Sequence, residues 1–448
     1  MLEVPDEMEK KLDSALSILE DHDKFRIITH YDADGISAAA VLTRCLMRDQ
    51  SGFHTSFVDS FPEEIPEGLP LIFTDIGNSH LEDIAEIEED VIVLDHHDIK
   101  GEFDLDDVEL DEDNKVFINP HEHGINGAQE VSGGTLALLL SVWHDEVNWE
   151  DSIYGLAGAA ADKQAIGGFN GLNLELADKA VKEDFLEERK ELFIDGQGLR
   201  DALMKACDPY FPDISGRKKR IDKVIRDLNL DPEAKIRSIS KDKRRKLNSL
   251  LVLSLLKKDR SAEVIESIIG VHYWSKHESF DMDTLYKLLN SCARTDRPGL
   301  GLSICLGDKK ALDEAKDIRN EYREEMITKL KKLEKKVESE EYEHLQYFFE
   351  EKKTRKGELA GLGILYLLDR DNPVFGIAEE DDQIDISARA TREMVEEGLD
   401  LGSLCRKVSE GLEGTGGGHD IAAGAAVKKE DMKTFLSRMN EEIGGLSN

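Results

Sequence analysis

The run Val91-Ile92-Val93-Leu94-Asp95-His96-His97-Asp98 constrains this chain more than any other stretch. Four apolar residues, three of them β-branched, read as a strand buried on both faces. A burst of metal-capable side chains follows at once. In an open α/β sheet, functional groups gather just past the carboxyl ends of the strands. Asp95-His96-His97 therefore stands where a site would be built. A surface turn is the plain alternative, and one strand end does not decide between the two.

The pattern recurs. An amphipathic helix over residues 7–22 opens the chain. Phe25–Thr29 then reads as a strand running into His30-Tyr31-Asp32-Ala33-Asp34-Gly35, with a small-residue helix from Ile36 to Leu42 behind it. In an extended segment, alternation puts residues 30, 32 and 34 on one side. Leu71-Ile72-Phe73 ends in Thr74-Asp75, and a helix is expected over Leu81–Glu88. Phe117-Ile118-Asn119-Pro120 is a fourth strand, and His121 and His123 follow it. Ser132-Gly133-Gly134-Thr135 precedes an apolar helix, Leu136–Trp143, so Ser132 and Gly133 offer N–H groups to an anion. A helix of small residues, Ile153–Ala161, delivers Asp162.

Strands alternating with helices indicate a parallel, right-handed α/β sheet. Three strands that end in Asp or His, together with Asp162, are hard to ascribe to turns. The set His30, Asp32, Asp34, Asp75, His96 and Asp162 contains oxygen and nitrogen donors but no thiol. That suits Mn²⁺ or Mg²⁺ better than structural zinc. Six such donors fit two ions ~3.5–4 Å apart, which together activate water and neutralise a phosphoryl group during displacement.

Beyond residue 170 the character changes. Glu175–Leu192 is charged and reads as helix. From Arg217 to Lys246, basic residues number 13 and acidic ones 5. This is a basic island, read as a patch for a nucleic-acid backbone or an acidic partner, or as a solvated helical face. His272-Tyr273-Trp274 reads as core, with a stacking platform as the alternative. Leu285–Arg294 is a helix with Pro298–Ser303 as its turn, and residues 309–342 form a long charged spacer helix. The last hundred residues form a second α/β unit. A helix opens at Leu359–Gly363, and Pro373–Ala378 and Gln383–Arg389 are strands. Ser387 and Arg389 lie on the second, and the planar fork of Arg389 can hold a phosphate. Gly416-Gly417-Gly418-His419 brings backbone close to a ligand before an expected helix, Ile421–Ala426.

A length of 448 residues suggests two to three domains. No stretch approaches the ~20 apolar residues of a membrane span, and the acidic N-terminus does not read as a signal peptide. Five scattered cysteines without a CxxC argue against a disulfide framework or zinc ribbon and fit a reducing cytoplasm. The net charge of −37 fits a protein that stays soluble in a salty cytoplasm. It would repel a polyanion overall, but local basic patches decide phosphate binding.

On these motifs the chain resembles the DHH-family phosphoesterases, and most closely the archaeal RecJ-like nucleases. The residues that carry the resemblance are His30–Gly35, Thr74-Asp75, Asp95-His96-His97, Ser132-Gly133-Gly134 with Ala161-Asp162, Ser387-Ala388-Arg389 and Gly416–His419. The resemblance implies a DHH catalytic domain over residues 1–180, a partly basic middle region over 181–308, a linker helix over 309–342, and a DHH-associated substrate-binding domain over 343–448. It implies two Mn²⁺, with Mg²⁺ or Co²⁺ as alternatives. His30 and Asp32 would bind one ion, Asp34, His96 and Asp162 the other, with Asp75 bridging. Asp95 would orient His96, and His97 would sit near the scissile phosphate. Ser387, Arg389, the three glycines and His419 would hold substrate from the far side of a cleft. The implied activity is a single-strand exonuclease, 5′→3′, acting on DNA or RNA in replication and repair, with the GINS replication complex as partner. The alternatives are a phosphodiesterase for short oligoribonucleotides or small nucleotides, and a non-catalytic replisome scaffold.

Overall fold

The computed structural model describes residues 2, 4–97, 114–190, 192–257, 264–265, 268–278, 280–335, 342–380 and 382–446. Asp98 and the stretch 336–341 of the expected spacer helix lie outside that set. The chain forms two compact units. One comprises Met1–Phe193 and Ile269–Asn320, the other Ile194–Ile268 and Glu321–Asn448. The stretch expected as a separate middle region is thus shared between the two.

The first unit is built on a parallel sheet of β1 (Lys24–His30), β2 (Gly52–Val58), β3 (Leu71–Thr74), β4 (Val91–Leu94) and β5 (Lys115–Ile118), in the order β2-β1-β3-β4-β5. All residues of β3, β4 and β5 are buried. Alternate side chains serve two cores. Ile27, Ile72, Ile92 and Leu94 pack in one with the helices Ala33–Arg48, Gly133–His144 and Ser152–Ala161, and Ile28, Phe73, Val91 and Val93 pack in the other. A strand covered on both faces has no polar side to show, which is why Val91–Leu94 is apolar throughout. Each such burial stabilises the unit by about 1.5–3 kcal/mol. Strand β2 has no counterpart in the sequence reading. It is an edge strand, exposed or half-buried throughout, and its Gly-Phe-His-Thr-Ser-Phe-Val carries no apolar run.

Two expectations in this unit change. The stretch over Glu175–Leu192 is a helix, Gly171–Lys182, followed by strand β6 (Leu186–Lys190), which pairs antiparallel with β7 (Val271–Ser275). Cross-strand pairing lets Glu187 and Glu188 stay exposed on a strand. His272 and Tyr273, on β7, are buried. Pro298–Ser303 is not a turn but the body of a helix, Pro298–Cys305. Proline at the first helical position has no N–H to leave unsatisfied.

The second unit carries a mixed sheet of β8 (Gln346–Phe349), β9 (Val374–Glu380), β10 (Gln383–Arg389), β11 (Thr415–Gly418) and β12 (Ala422–Lys428), in the order β11-β12-β10-β9-β8. Only the β8–β9 pair is parallel. The helix expected at Ile421–Ala426 is therefore strand β12. Its small residues alternate between half-buried and buried, and pairing with β10 on one side and β11 on the other overrides the helical preference of alanine. The long helix runs from Lys309 to Leu333 and buries Met326, Leu330 and Leu333 in this unit. Among the described residues, no helix is long and apolar enough to cross a membrane.

Candidate metal centre

The strand ends of the first unit build one cluster. β1 stops at His30. Asp32 then caps the helix Ala33–Arg48, its Oδ1 accepting from the N–H groups of Asp34 (3.1 Å) and Gly35 (3.0 Å). An N-cap of this kind is worth about 1 kcal/mol. The segment is thus not extended through residue 34. Asp34 lies in the first turn of the helix and is turned inward by it, fully buried.

Asp34 meets the start of another helix, Gly133–His144. Its Oδ1 accepts from Ser132 Oγ (2.8 Å) and the Gly134 N–H (2.9 Å), and its Oδ2 from the Gly133 N–H (2.7 Å). The anion site expected at Ser132 and Gly133 is real, but the anion is the chain's own carboxylate. These two residues are buried behind Asp34 rather than turned to a substrate. Small residues make room for it. A Cβ at Gly158 would land on Asp34 Oδ1, which accounts for the small-residue run over 155–161.

Asp75 follows β3 in the left-handed region, with φ of 57°. Aspartate tolerates that conformation at modest cost, about 1–2 kcal/mol. Its two oxygens point to different histidines. Oδ2 lies 3.7 Å from His30 Nδ1, and Oδ1 lies 3.2 Å from His96 Nε2. His30 Nδ1 is also 3.1 Å from Asp32 Oδ2. His96 Nε2 faces Asp162 Oδ2 at 3.3 Å and Asp34 Oδ2 at 3.5 Å. Two triads with no member in common result, His30–Asp32–Asp75 and Asp34–His96–Asp162, with Asp75 reaching both, and a third grouping, Asp75–His96–His97, overlaps them.

The donor set fits cations. His96 Nε2 is buried among three carboxylate oxygens without an aligned hydrogen bond to any of them. Burial of like charges without a counter-charge is costly, and the protonation of the cluster shows the strain. Burial, with Asp75 close by, pushes Asp34 up to about 7. Burial and the neighbouring Asp34 likewise hold Asp162 well above the carboxylate range. Burial opposes charge on His30, but the Asp32 and Asp75 carboxylates outweigh it and raise the ring to about 10. His96 is raised in the same way, with burial again opposing. Asp75 also loses solvent, yet the neighbouring His30 and His96 rings hold it below the usual range.

Residues 24–160 match the model of the DHH family N-terminal domain, and residues 344–445 that of the DHHA1 domain. An uncharacterized protein of Methanocaldococcus jannaschii is 30% identical over 445 residues, 95% of each chain. The chain belongs to the DHH phosphoesterase family. Its fold is RecJ-like. CDC45 from Entamoeba histolytica superposes with a TM-score of 0.64 at 12% identity, covering 98% of both chains. RecJ from Thermus thermophilus, in complex with Mn²⁺, gives 0.57 at 16% identity over 99% of this chain. This chain spans 55% of that RecJ.

Within the DHH domain, the family's eponymous triplet divides its work differently from the sequence reading. Asp95 does not stand behind His96, as the resemblance implies. Its Oδ1 accepts from His97 Nδ1 at 2.8 Å and from the His97 N–H at 3.2 Å, and its Oδ2 accepts from the Asn78 N–H. His96 is oriented by a backbone group, its Nδ1 donating to the Gly127 carbonyl at 2.7 Å. The rings of His96 and His97 turn to different partners, and the short Asp95 carboxylate reaches one of them. The hydrogen bond His97 donates to Asp95, against the opposing effect of burial, raises His97 above its ordinary value.

Four polar residues support this arrangement and lie outside the set read from the sequence. Gln164 Nε2 donates to the carbonyls of Gly127 and Val131 at 3.0 Å each, and its Oε1 accepts from Asn173 Nδ2 at 2.6 Å. Asn78 and Asn119 both donate to the His97 carbonyl, at 2.9 and 3.1 Å. Asn119 stands at the end of an expected strand. The other three carry no sequence signal, since a lone amide looks the same in a loop as in a buried network.

In the DHHA1 domain, Ser387 and Arg389 lie at the end of β10. Arg389 is half-buried, donates to the Ala388 carbonyl at 2.8 Å, and has its pKa lowered by burial. Gly416, Gly417 and Gly418 are on β11, opposite Ala425, Gly424 and Ala423 of β12. The helix Leu401–Glu410 packs so close that a Cβ at Gly416 would sit 2.5 Å from the Cys405 carbonyl. His419 is exposed in the turn between the strands, with its N–H bonded to the Ala422 carbonyl.

Proposed function

We propose that this protein is a two-metal phosphodiesterase that removes nucleotides from the 5′ end of single-stranded DNA or RNA. The observation that carries the reading is the pair of triads that Asp75 reaches, with His96 Nε2 set among three carboxylates and bonded to none. His30, Asp32 and Asp75 would hold one divalent cation, and Asp34, His96 and Asp162 the second, with Asp75 common to both. Mn²⁺ is the first choice, as in the RecJ complex, with Mg²⁺ or Co²⁺ as alternatives. Bound there, the cations supply an activated water and neutralise charge on the phosphoryl oxygens.

The chain's own groups do the rest. His97 keeps its Nδ1 proton on Asp95, so Nε2 is the nitrogen left for substrate. The residue is exposed and its affinity for protons is raised, which suits it to give a hydrogen bond or a proton to a phosphate oxygen or to the departing alkoxide. Asp95, Asn78 and Asn119 fix its orientation by holding side chain and backbone together. Arg389 would take a phosphate through its planar fork, with burial strengthening the interaction. Ser387, Gly416, Gly417, Gly418 and His419 are proposed as further substrate contacts of the DHHA1 domain.

RecJ-like architecture supports a polynucleotide substrate, and the CDC45 likeness supports a second reading, a non-catalytic scaffold of the replication machinery that binds GINS. The test is degradation of 5′- and 3′-labelled single-stranded DNA and RNA, with Mn²⁺ and with EDTA. EDTA-sensitive loss of the 5′ label first is the expected result. Cleavage of di- and trinucleotides alone would assign the site to small nucleotides. No turnover of any substrate by protein that binds GINS would leave the scaffold.

A further inference from the structure

The basic island of the sequence becomes a surface in the second unit. The helix Lys218–Asp227 buries Ile221, Val224 and Ile225 and exposes Lys218, Lys219, Arg220, Lys223 and Arg226. Lys219, Lys223 and Arg226 recur at i, i+4 and i+7. They form a stripe about 10 Å long on the face opposite the buried residues. A second helix, Lys241–Leu256, adds exposed Lys241, Arg245 and Lys246 at its start. Lys243 Nζ donates to the Asn229 carbonyl and ties the start of this helix to the end of the first.

These cations are not neutralised. None of the eight has an acidic partner among the described residues, whereas neighbours such as Arg200 and Arg217 pair with Asp222 and Glu334. Asp227 and Asp242 are the remaining acids on the two helices. In a chain of net charge −37, random surface placement would surround lysines with carboxylates. Eight cations held together at a cost in self-repulsion call for an anionic ligand.

We infer that this surface of the second unit binds the phosphate backbone of a single-stranded nucleic acid, independent of base sequence. The inference rests on the reading of the site as acting on a polynucleotide. An acidic protein is the competing occupant. Protein interfaces are anchored by aromatic and aliphatic side chains, and the helix Lys218–Asp227 exposes none. The exposed Leu253 and Leu256 stand about two turns beyond Lys246 on the second helix. Phosphate contacts need only cations, and they position a strand without reading it.

The test uses the full-length protein with Lys219→Glu, Lys223→Glu and Arg226→Glu combined, against wild type. Binding of a long labelled oligothymidylate is measured by anisotropy in EDTA over a salt series, and turnover of the same strand and of a dinucleotide in Mn²⁺. The variant is expected to bind the strand roughly 10- to 30-fold more weakly at low salt, with a salt slope shallower by about 2. Dinucleotide turnover is expected to match wild type, which also shows that the variant is folded. Equal binding and equal slope would overturn the inference while leaving strand degradation intact. Wild type that neither binds nor degrades the strand would overturn the reading of the site, and this inference with it. Poly-glutamate competing as well as the oligonucleotide would assign the surface to an acidic protein instead.

Discussion

The two triads of the proposed metal centre are built by different means. The inner one, Asp34–His96–Asp162, is held largely by backbone. Three donors from the helix start at Ser132 fix Asp34, and the Gly127 carbonyl fixes His96. The outer one, His30–Asp32–Asp75, is held by its own members, with His30 between two carboxylates and Asp32 also serving as a helix cap. Backbone donors do not change partners when a cation comes or goes, whereas a histidine between two carboxylates must give up its proton. The inner triad is thus preorganised, and the outer one assembles its charge on loading.

Asp75 is the link, so its loss should cost most. Asp75→Asn is expected to lower kcat/KM by roughly 10³-fold or more and to weaken Mn²⁺ binding in both triads, measured by single-strand degradation and by calorimetric titration of the metal. Loss of one binding step with the other unchanged would mean that the triads do not share it.

The proton inventory gives the next effect. In the metal-free protein His30 holds its proton up to about pH 10. Because this folded value lies above the unfolded ~6.5, the contribution of His30 to metal-free stability is fully present below about pH 6.5 and is lost as pH rises towards 10. Loading with Mn²⁺ must expel that proton, so affinity should rise roughly tenfold per pH unit for each proton displaced between about pH 6 and 8. Calorimetry in buffers of different ionisation enthalpy reads the release directly. Asp75→Asn weakens the hold on the His30 proton and should flatten the slope.

The inner triad is broken by crowding rather than by charge. Gly158→Ala drives a methyl onto Asp34 Oδ1, and the helix start at Ser132 leaves that oxygen nowhere to move. Metal affinity should fall roughly 10- to 100-fold, with about 1–3 kcal/mol of stability lost to overpacking, read from metal titration and thermal melting. A smaller effect in the same direction is expected for Gln164→Ala, which frees the Gly127 carbonyl that aims His96. Metal affinity should drop about tenfold with little change in secondary structure. An unchanged affinity would show that Gly127 is held without the amide.

How much of this was legible follows from the kind of support each residue has. The clustered residues lie at or just past the ends of apolar strands or, for Asp162, of a small-residue helix, so composition and position coincide, and the cluster of His30, Asp32, Asp34, Asp75, His96 and Asp162 could be anticipated from the chain. The parallel sheet was legible for the same reason, since β3 and β4 are apolar runs punctuated by Asp. What could not be read is which group faces which. Asp95 is next to His96 in sequence, yet the turn after β4 gives it to His97. Ser132 and Gly133 look like an anion site, and nothing local reveals that Asp34, far away in the sequence, fills it. Edge strand β2 and strand β12 owe their form to partners elsewhere in the chain, and alanine-rich β12 reads as helix until β10 and β11 flank it.

The smallest effect separates the metal centre from the residue beside it. His97 is positioned by Asp95 at the ring and by two amides at the carbonyl, Asn78 and Asn119. Asn119→Ala removes one of these, together with the bond its Oδ1 accepts from the His121 N–H, and leaves Asn78 in place, so the expected loss is about two ordinary hydrogen bonds, each roughly 0.5–1.5 kcal/mol. Because Asn119 bonds to the His97 carbonyl and neither His97 nor Asn119 belongs to the two ligand triads, the loss should appear in kcat alone. A roughly 2- to 10-fold drop at unchanged Mn²⁺ affinity and near-constant KM is the expected outcome. Asp95→Asn should produce the larger version of it, with a displaced limb in the pH–rate profile. If Asn119→Ala instead weakens metal binding as Gln164→Ala does, His97 belongs with the ligands, and the division of labour between the two neighbouring histidines fails.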